Sequence, residues 1–415
     1  MKQLPDQFSC KHRYREDMLH IYQAALARVA GDTAVSHWLK DHPSACGSQA
    51  VVAIGKAASA MMAGALGVLR RSLVAGLVIT REGYTQDRLQ DNPAIEQVVS
   101  SHPVPDGRSL DAGRQLLAFI AAQPLDRPLL FLLSGGTSSL VEVLPEHGSL
   151  TDLQRLNHWL LASGLDIRAM NQVRSRMSRI KGGQLVRYLQ GRDARVLFIS
   201  DVPGDDPAIV GSGLLFPQQP DLALPPLPDE LHDCFAQPDV PPSRAIPHHA
   251  VATNAHALEA AAQAARDLGY ETVSDFPFLQ GDAETRGREF GQYLRQAGAG
   301  VHLMGGETTV RLPPEPGRGG RNQHLALAAA AEIQGREDLL VLAAATDGSD
   351  GMSEDAGALV DGGTWQRAID EDFKPRQSLA TADSGRLLEA TGDLLHTGPT
   401  GTNVMDLLIG MRIPR

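Results

Sequence analysis

The sequence predicts an α/β fold in two domains, and three observations support this. Short apolar runs alternate with helical stretches, the alternation stops at a proline-rich stretch of residues 217–247, and it resumes beyond that stretch. Strands that alternate with helices form parallel sheets covered on both faces. The length of 415 residues also fits two or three domains.

The strands of the first half are predicted from short apolar runs bounded by turn residues. They are expected at residues 50–54, 74–79, 96–100, 129–133 and 195–199. Helices are expected at residues 57–71, 108–122, 150–163 and 184–190. Nine prolines then occupy residues 217–247. Because proline lacks an amide donor and disrupts helix interiors and central strands, this stretch is interpreted as an interdomain connection.

The second half of the chain repeats the alternation. Helices are expected at residues 253–267, 282–296, 321–333 and 403–411. Strands are expected at residues 300–304, 308–311 and 339–345. The two α/β halves therefore predict one domain over residues 1–240 and another over residues 250–415.

Charge and composition exclude several classes of partner. The chain has 38 Lys+Arg against 49 Asp+Glu, a net charge of −11, which argues against nucleic acid or an anionic membrane surface as the main partner. No apolar run approaches the ~20 residues that span a bilayer, and the first residues lack the apolar region of a signal peptide. Cys10, Cys46 and Cys234 form no disulfide or zinc pattern. A cytoplasmic protein with free thiols is expected.

Glycine-rich turns follow most of the predicted strands. The chain has 41 glycines, and Ser134-Gly135-Gly136 is one such turn. A glycine-rich turn before a helix directs free backbone amides to one point, which favours phosphate binding. A tight turn that needs glycine only for its backbone conformation is the alternative. The sequence has no GxxxxGK[ST] and no well-placed GxGxxG, so a standard P-loop enzyme or dinucleotide-binding domain is disfavoured.

Several cations lie at turns where an anion could bind. Lys56 lies just past a predicted strand at a helix start, where the helix dipole disfavours a cation that has no anion beside it. Arg321 lies in the glycine-rich segment 317–323, and guanidinium groups bind phosphate or carboxylate in a bidentate manner. Arg174 and Lys181 are spaced to share a helix face. The alternatives are a solvated lysine, a flexible polar loop and a solvated basic face.

Carboxylates cluster after two of the predicted strands. The residues concerned are Asp201, Asp205, Asp206, Asp347 and Asp350. Carboxylate oxygens suit Mg²⁺, which often bridges substrate phosphates, and an aspartate could instead act as general base on a substrate hydroxyl. A simple Asx turn is the alternative for each single aspartate.

Ten short motifs occur in order along the chain. They are IGKAA at 54–58, HPVPD at 102–106, LSGG at 133–136, NQVR at 171–174, IKGG at 180–183, SDVPGDDP at 200–207, GGETT at 305–309, GRGGRNQ at 317–323, TDG at 346–348 and TGPTGTN at 397–403. Together they resemble the type II glycerate kinases, also called the MOFRL family, over essentially the whole chain. Proteins of this kind are often labelled hydroxypyruvate reductases.

The resemblance implies ATP- and Mg²⁺-dependent phosphorylation of D-glycerate at its 2-hydroxyl, which gives 2-phosphoglycerate. It also implies a Rossmann-like N-terminal domain, a smaller α/β C-terminal domain and an active site between them. The family's proposed active-site residues, the lysine of the GKA turn and the second arginine of GRGGRNQ, correspond to Lys56 and Arg321. The partners implied are small molecules, glycerate and ATP; the oligomeric state stays open, with a homodimer among the choices.

Further site roles are hypotheses that combine the resemblance with the residues. Lys56 and Arg321 are expected to neutralise charge on the γ-phosphoryl group, with Asp201 as a candidate general base or metal ligand. Asp205 and Asp347 are expected to bind metal, and Asp347 is also a candidate general base. The residues expected to bind substrate or phosphate are Ser134, Gly135, Gly136, Asn171, Arg174, Lys181, Glu307 and Asn322.

The sequence departs from the family pattern at Thr137, Ala169, Leu214 and Leu215, which are expected near the cleft, and also at His324 and Met405. The first four departures leave the exact hydroxy acid open, so a kinase for a related sugar acid, such as a tetronate or tartrate derivative, is an alternative. An NAD(P)H-dependent hydroxypyruvate reductase and a non-catalytic sugar-acid or nucleotide sensor are further alternatives.

Overall fold

The computed structural model describes residues 6–165, 167–217, 227, 235 and 244–414. Residue packing divides the chain into two compact units. The N-terminal unit contains Ala30–Thr253 and Gly401–Asn403, and the C-terminal unit contains Asn254–Thr400, Val404–Arg415 and the chain up to Val29. The predicted connection at 217–247 lies largely outside the described residues, and so does Cys234.

Helix α1, Asp6–Val29, belongs to the C-terminal unit by its contacts. The Tyr22 hydroxyl donates to the Ala345 carbonyl at 2.7 Å, and Arg15 pairs with Asp361 and Asp393. The predicted first domain, residues 1–240, includes this helix because the helix is adjacent in sequence to the strands of that domain. The structure instead packs this helix in the C-terminal unit through long-range contacts.

The N-terminal unit alternates strands and helices as the apolar pattern predicts. Its strands are β1 Gln49–Ile54, β2 Leu73–Arg81, β3 Ile95–Ser100, β4 Leu129–Leu133, β5 Ala194–Ile199 and β6 His248–Ala252. Its helices are α2 Gly31–Asp41, α3 Ala58–Leu69, α4 Asp87–Gln90, α5 Gly107–Ala122, α6 Thr137–Leu140, α7 Leu150–Ala162 and α8 Ile167–Arg176. The sequence-based prediction missed α2, α4, α6, α8 and β6.

Among the described residues, the six strands of this unit form one parallel sheet in the order β3-β2-β1-β4-β5-β6. Every residue of β1 and β4 is buried, because helices cover both faces of a parallel sheet. The predicted parallel sheet is therefore confirmed. The strand order reverses between β1 and β4, and ligands of open α/β sheets bind beyond the carboxyl ends of the strands at such a reversal.

The C-terminal unit has a mixed sheet. Its strands are β7 Thr272–Val273, β8 Leu279–Asp282, β9 Gly300–Thr309, β10 Leu339–Ala345, β11 Gly357–Asp361, β12 Leu394–Leu395 and β13 Asp406–Arg412. Its further helices are α9 Asn254–Asp267, α10 Ala283–Gln296, α11 Arg321–Ile333, α12 Thr364–Asp370, α13 Pro375–Ala380 and α14 Ser384–Ala390. The order is β12-β11-β10-β13-β9-β7, with β8 beside β9, and β13 runs antiparallel to both β10 and β9.

Two predictions in this unit were wrong. The helix expected at 403–411 is strand β13, which is buried along nearly its whole length. A short apolar run is ambiguous between a buried strand and a buried helix, and pairing with β9 and β10 decides for the strand. The strands expected at 300–304 and 308–311 are parts of one strand, β9, which runs through Gly305 and Gly306.

The shared helix face expected for Arg174 and Lys181 was also wrong. Helix α8 ends at Arg176, and Gly182 and Gly183 have φ of 60° and 83°. Such left-handed conformations suit glycine and interrupt a helix. The segment Gln184–Leu189, expected as an α-helix, is a 3₁₀ helix.

No helix in the described part of the chain has the length and apolar character needed to cross a membrane. Cys46 is a free thiol. Leu214 and Leu215, two of the departures from the family pattern, are buried in the core that packs on the N-terminal sheet. Their side chains therefore contribute to packing.

Candidate active site

Two turns interlock where the strand order of the N-terminal sheet reverses. Strand β1 leads into Gly55-Lys56, and β4 leads into Ser134-Gly135-Gly136. The Lys56 amide donates to the Gly135 carbonyl at 2.9 Å, and the Ala57 amide donates to Ser134 Oγ at 3.1 Å. Gly55 has a φ of 131°, and a Cβ there would overlap Ser134 Oγ. The close approach of the two turns therefore requires glycine at residue 55.

The turn after β4 presents unused backbone donors. No described residue accepts a hydrogen bond from the backbone amides of Gly135, Gly136 or Thr137. Gly136 has a φ of 88°, and a Cβ built on it would lie 3.4 Å from Lys56 Cγ, so the lysine stem passes beside the turn. Consecutive free amides beside a lysine side chain form an anion-binding concavity. The threonine at 137 supports the turn, since its hydroxyl donates to the carbonyl oxygens of Ile54 and Ser134.

A carboxylate lies directly against this turn. A Cβ added to Gly135 would overlap Asp201 Oδ2 and would lie 2.6 Å from Asn403 Nδ2. Asn403 Nδ2 donates to Asp201 Oδ2 at 3.2 Å. The interaction joins positions 202 residues apart in sequence, so local patterns could not reveal it. Asn403 is a residue that the site prediction missed, although it ends the last of the ten motifs.

Asn171 and Arg174 connect helix α8 to the same region. The Ser212 hydroxyl donates to Asn171 Oδ1 at 2.9 Å and lies 2.7 Å from the Ser138 hydroxyl. Arg174 Nη1 lies 3.4 Å from Asn171 Oδ1. Burial lowers the pKa of the Arg174 guanidinium, although the charge of Glu142 opposes this. A desolvated guanidinium of this kind is suited to a carboxylate or phosphate.

Lys181 lies in a buried ion pair, whereas a residue that binds substrate would be expected at an open position. Its Nζ lies 2.5 Å from Glu142 Oε2, and the two side chains are only 3% and 1% exposed. Glu142 Oε1 also accepts from the Ser178 hydroxyl at 2.6 Å. The ammonium group therefore has a buried carboxylate as its counter-ion, which assigns it a role in the folded core.

In the C-terminal unit, Arg321 begins helix α11 and is held by two carboxylates. Its Nε and Nη2 atoms donate to the buried Asp406 at 2.6 and 2.9 Å, and its Nη1 lies 2.8 Å from Glu307 Oε1. Burial alone would lower the pKa of this guanidinium, but the adjacent carboxylates, Asp406 first, raise it above its usual value. Arg321 therefore stays charged and rigidly oriented.

The start of helix α11 is capped from within the C-terminal unit. Asp350 accepts from the backbone amides of Asn322 and Gln323 at 3.0 and 2.8 Å and from Asn322 Nδ2 at 3.2 Å. Burial raises the pKa of Asp350 to about 7, although these amide bonds oppose the shift. The Asn322 side chain, which was predicted to bind substrate or phosphate, thus bonds to Asp350. An anion near the start of this helix would instead be bound by arginine side chains such as that of Arg321.

The predicted metal ligands Asp205 and Asp347 lie in different units. Asp347 is buried and accepts from the Ser349 amide at 3.0 Å, which is an Asx turn. Asp205 is half-buried in the loop after β5. The described residues contain no group of three or more His, Cys, Asp or Glu side chains placed to hold a metal ion.

The predicted site residues thus form two groups. Lys56, the turn at residues 134–136, Asp201, Asn171 and Arg174 belong to the N-terminal unit. Arg321, Glu307, Asn322 and Asp347 belong to the C-terminal unit. The first group combines free amides, two cations and one carboxylate, which can bind an anion and accept a proton.

Comparisons with known proteins agree with the motif pattern. Residues 17–224 match the model of a domain of unknown function, DUF4147, and residues 300–406 match that of the MOFRL family. A D-glycerate 2-kinase of Thermotoga maritima is 34% identical over 87% of this chain and 90% of that protein. The chain belongs to the glycerate kinase (MOFRL) family.

Two further relatives of this glycerate kinase family member are informative. A protein of Agrobacterium vitis that carries a provisional hydroxypyruvate reductase name is 36% identical over 95% of this chain and 93% of that protein. The crystal structure of a glycerate kinase from Thermotoga maritima matches with a TM-score of 0.83 and 29% identity, covering 97% of this chain and 100% of the other. The fold of this family member is therefore that of a glycerate kinase.

Replacing Gly135 by alanine in this family member tests the contact between the turn and the carboxylate. The new Cβ would displace Asp201 and Asn403, so we expect kcat to fall about 10²-fold, since small displacements of reacting groups have effects of that size. The backbone of Gly135 is not left-handed, so folding should be retained. Steady-state kinetics with circular dichroism melting measures both quantities.

Gly67→Ala is the matched control for this substitution. Gly67 lies in helix α3 with no atom within 4 Å of an added Cβ, so alanine should leave kcat unchanged and add about 0.5–1 kcal/mol of stability. Full activity of Gly135→Ala would mean that the contact with Asp201 does not matter for turnover.

Proposed function

We propose that this protein transfers the γ-phosphoryl group of ATP to the 2-hydroxyl of D-glycerate, giving 2-phosphoglycerate and ADP. The observation that carries the proposal is the free-amide turn with Lys56 beside it and Asp201 against it, at the reversal of the parallel sheet. The curated relative named D-glycerate 2-kinase supports the same substrate and acceptor hydroxyl.

Each group in the N-terminal site has a proposed role in that transfer. The 2-hydroxyl oxygen bonds to the γ-phosphorus, the bond from phosphorus to the ADP oxygen breaks, and Asp201 accepts the hydroxyl proton. Asn403 orients the Asp201 carboxylate through its amide. The free amides at residues 135–137 and the Lys56 ammonium stabilise the negative charge of the phosphoryl oxygens.

The substrate carboxylate is proposed to pair with Arg174, the desolvated guanidinium on α8. Arg321 is proposed to bind phosphate oxygens through its guanidinium group. Lys181 is not included, because Glu142 already neutralises it.

Mg²⁺ is proposed as the ion that accompanies ATP. Mg²⁺ commonly uses only one or two carboxylates and completes its shell with water and phosphate. A single carboxylate, that of the half-buried Asp205 or that of Asp347, would fit this sparse mode, which does not need a larger cluster of protein ligands. When bound, the ion would neutralise phosphate charge.

The purified protein should form ADP from ATP, Mg²⁺ and D-glycerate in a coupled assay, with phosphorus NMR identifying the 2-phospho product. Parallel reactions contain tetronate and tartrate derivatives, and a separate arm contains hydroxypyruvate with NADH. Formation of 3-phosphoglycerate would overturn the choice of hydroxyl, and faster turnover of a larger acid would change the substrate. Oxidation of NADH without kinase activity would favour the reductase name carried by the Agrobacterium vitis relative.

A further inference from the structure

The loop at residues 209–213 holds its backbone in a conformation that few residues adopt. Gly211, Ser212 and Gly213 have φ of 60°, 58° and 65°, so three consecutive residues are left-handed. Glycine adopts this conformation readily, whereas a residue with a Cβ, such as serine, is strained in it. Backbone strain of this kind persists only where the surrounding structure fixes it, and it clusters at functional sites. The side chain of Ser212 is therefore the part of this loop that needs a function to explain it.

One side of the loop packs against the turn that carries the free amides. A Cβ added to Gly211 would lie 2.9 Å from both Cβ and Cγ2 of Thr137, so glycine permits this close approach. Ser212 Oγ lies 2.7 Å from Ser138 Oγ. Thr137 supplies one of the three free amides, and Ser138 directly follows it. The loop is thus held in contact with the proposed phosphate-binding turn.

The other side of the loop bonds to helix α8 through Asn171. Asn171 Oδ1 accepts from the Ser212 hydroxyl at 2.9 Å, and Asn171 Nδ2 donates to the Ile209 carbonyl at 3.2 Å. A serine hydroxyl has one proton, so Ser212 donates to Asn171 and accepts from Ser138. Ser212 is 0% exposed and Asn171 is 2% exposed. Because water does not reach these groups, removing the hydroxyl would leave Asn171 Oδ1 without its buried donor.

This chain of hydrogen bonds ends at Arg174. Arg174 lies three residues beyond Asn171 on α8, and its Nη1 lies 3.4 Å from Asn171 Oδ1. Within the described parts of the chain, this is the one hydrogen bond that the Arg174 guanidinium makes. An arginine side chain has many rotamers, and holding it in one of them costs conformational entropy. The direction of the Arg174 guanidinium therefore depends on Asn171, and that of the Asn171 amide depends on Ser212.

From these contacts we infer that Ser212 is a positioning residue for the acceptor substrate. It orients Asn171, which orients the Arg174 guanidinium relative to the turn after β4, and the oriented guanidinium binds the carboxylate of the hydroxy acid. A guanidinium that is oriented in advance binds a carboxylate more tightly, because less motion is lost on binding. This inference rests on the proposed kinase function, because it assigns Ser212 a part in binding the acceptor of that reaction.

Steady-state kinetics of the full chain with the variants Ser212→Ala and Ser212→Gly tests the assignment. Both variants lack the hydroxyl, and Ser212→Gly also relieves the left-handed strain, so it should keep the fold even where alanine weakens it. The KM for glycerate should rise about tenfold in both. The KM for ATP and kcat should stay close to the wild-type values, because the pair between guanidinium and carboxylate is the same before and during phosphoryl transfer.

A double-mutant cycle with Arg174→Met separates positioning from a general structural role. Arg174→Met should raise the KM for glycerate about 10²-fold or more. In that background Ser212→Ala should change this KM less than about twofold, because residues that act through one another are not additive. An equal factor in both backgrounds would overturn the positioning role.

Two control variants match these changes elsewhere in the chain. Ser36→Ala removes a half-buried hydroxyl that donates to the Gly64 carbonyl at 3.2 Å, and Asp372→Gly replaces an exposed residue whose φ is 60°. Both should have the wild-type KM for glycerate. If the Ser212 variants or Arg174→Met also have that KM, the positioning role is overturned and the kinase function stands. A wild type that does not phosphorylate glycerate would overturn both.

Discussion

Lys56→Ala should reduce kcat for glycerate phosphorylation by about 10²- to 10³-fold, the size of effect seen when one group that stabilises developing charge is removed. Lys56 lies beside the turn whose amides at residues 135–137 have no acceptor among the described residues. Without its ammonium group, the amides alone would face the phosphoryl oxygens. Steady-state kinetics with saturating ATP and glycerate measures the loss.

The same variant should keep its fold, because Lys56 is only half-buried and its backbone hydrogen bond to Gly135 does not involve the side chain. Lys56→Arg should recover little, since a planar guanidinium does not replace a compact ammonium. Lys40→Ala, an exposed lysine in the last turn of α2, is the control and should have normal kcat. A Lys56→Ala enzyme with turnover near that of the wild type would remove Lys56 from the mechanism.

Lys181→Ala should destabilise the protein by about 3–5 kcal/mol, because it leaves the Glu142 carboxylate buried without its counter-ion. The two charged atoms are 2.5 Å apart and almost fully shielded from water. Thermal melting and denaturant titration would report this loss. The KM for glycerate of whatever protein remains folded should be close to normal.

The double variant Glu142→Gln, Lys181→Met separates this role from substrate binding. Removing both charges while keeping similar volume should restore much of the stability, because the buried uncompensated charge is gone. If Lys181 instead held the substrate, Lys181→Ala would melt normally and raise the KM for glycerate, and the double variant would bind glycerate just as poorly.

The parallel sheet and the turns after β1 and β4 could be predicted from local sequence patterns. Buried runs such as residues 50–54 and 129–133 have the length and composition of strands, and the turn residues after them are glycines. Strand β13 could not be predicted in the same way. Its apolar run fits a buried helix or strand equally well, and only its pairing with β9 and β10 distinguishes them.

By itself, the sequence determined the alternation of strands and helices, the glycine-rich turns and the ordered motifs that indicate a glycerate kinase. Only the tertiary structure decided which charged side chains are paired within the protein and which can contact a ligand. Lys181 and Arg174 look equivalent in sequence, yet Lys181 pairs with Glu142 from a position 39 residues away, whereas Arg174 contacts the neutral amide of Asn171 on its own helix. Likewise, Asn403 reaches Asp201 across 202 residues. Charge, spacing and glycine content are local properties, while counter-ions and hydrogen-bond partners depend on which distant segments the fold brings together.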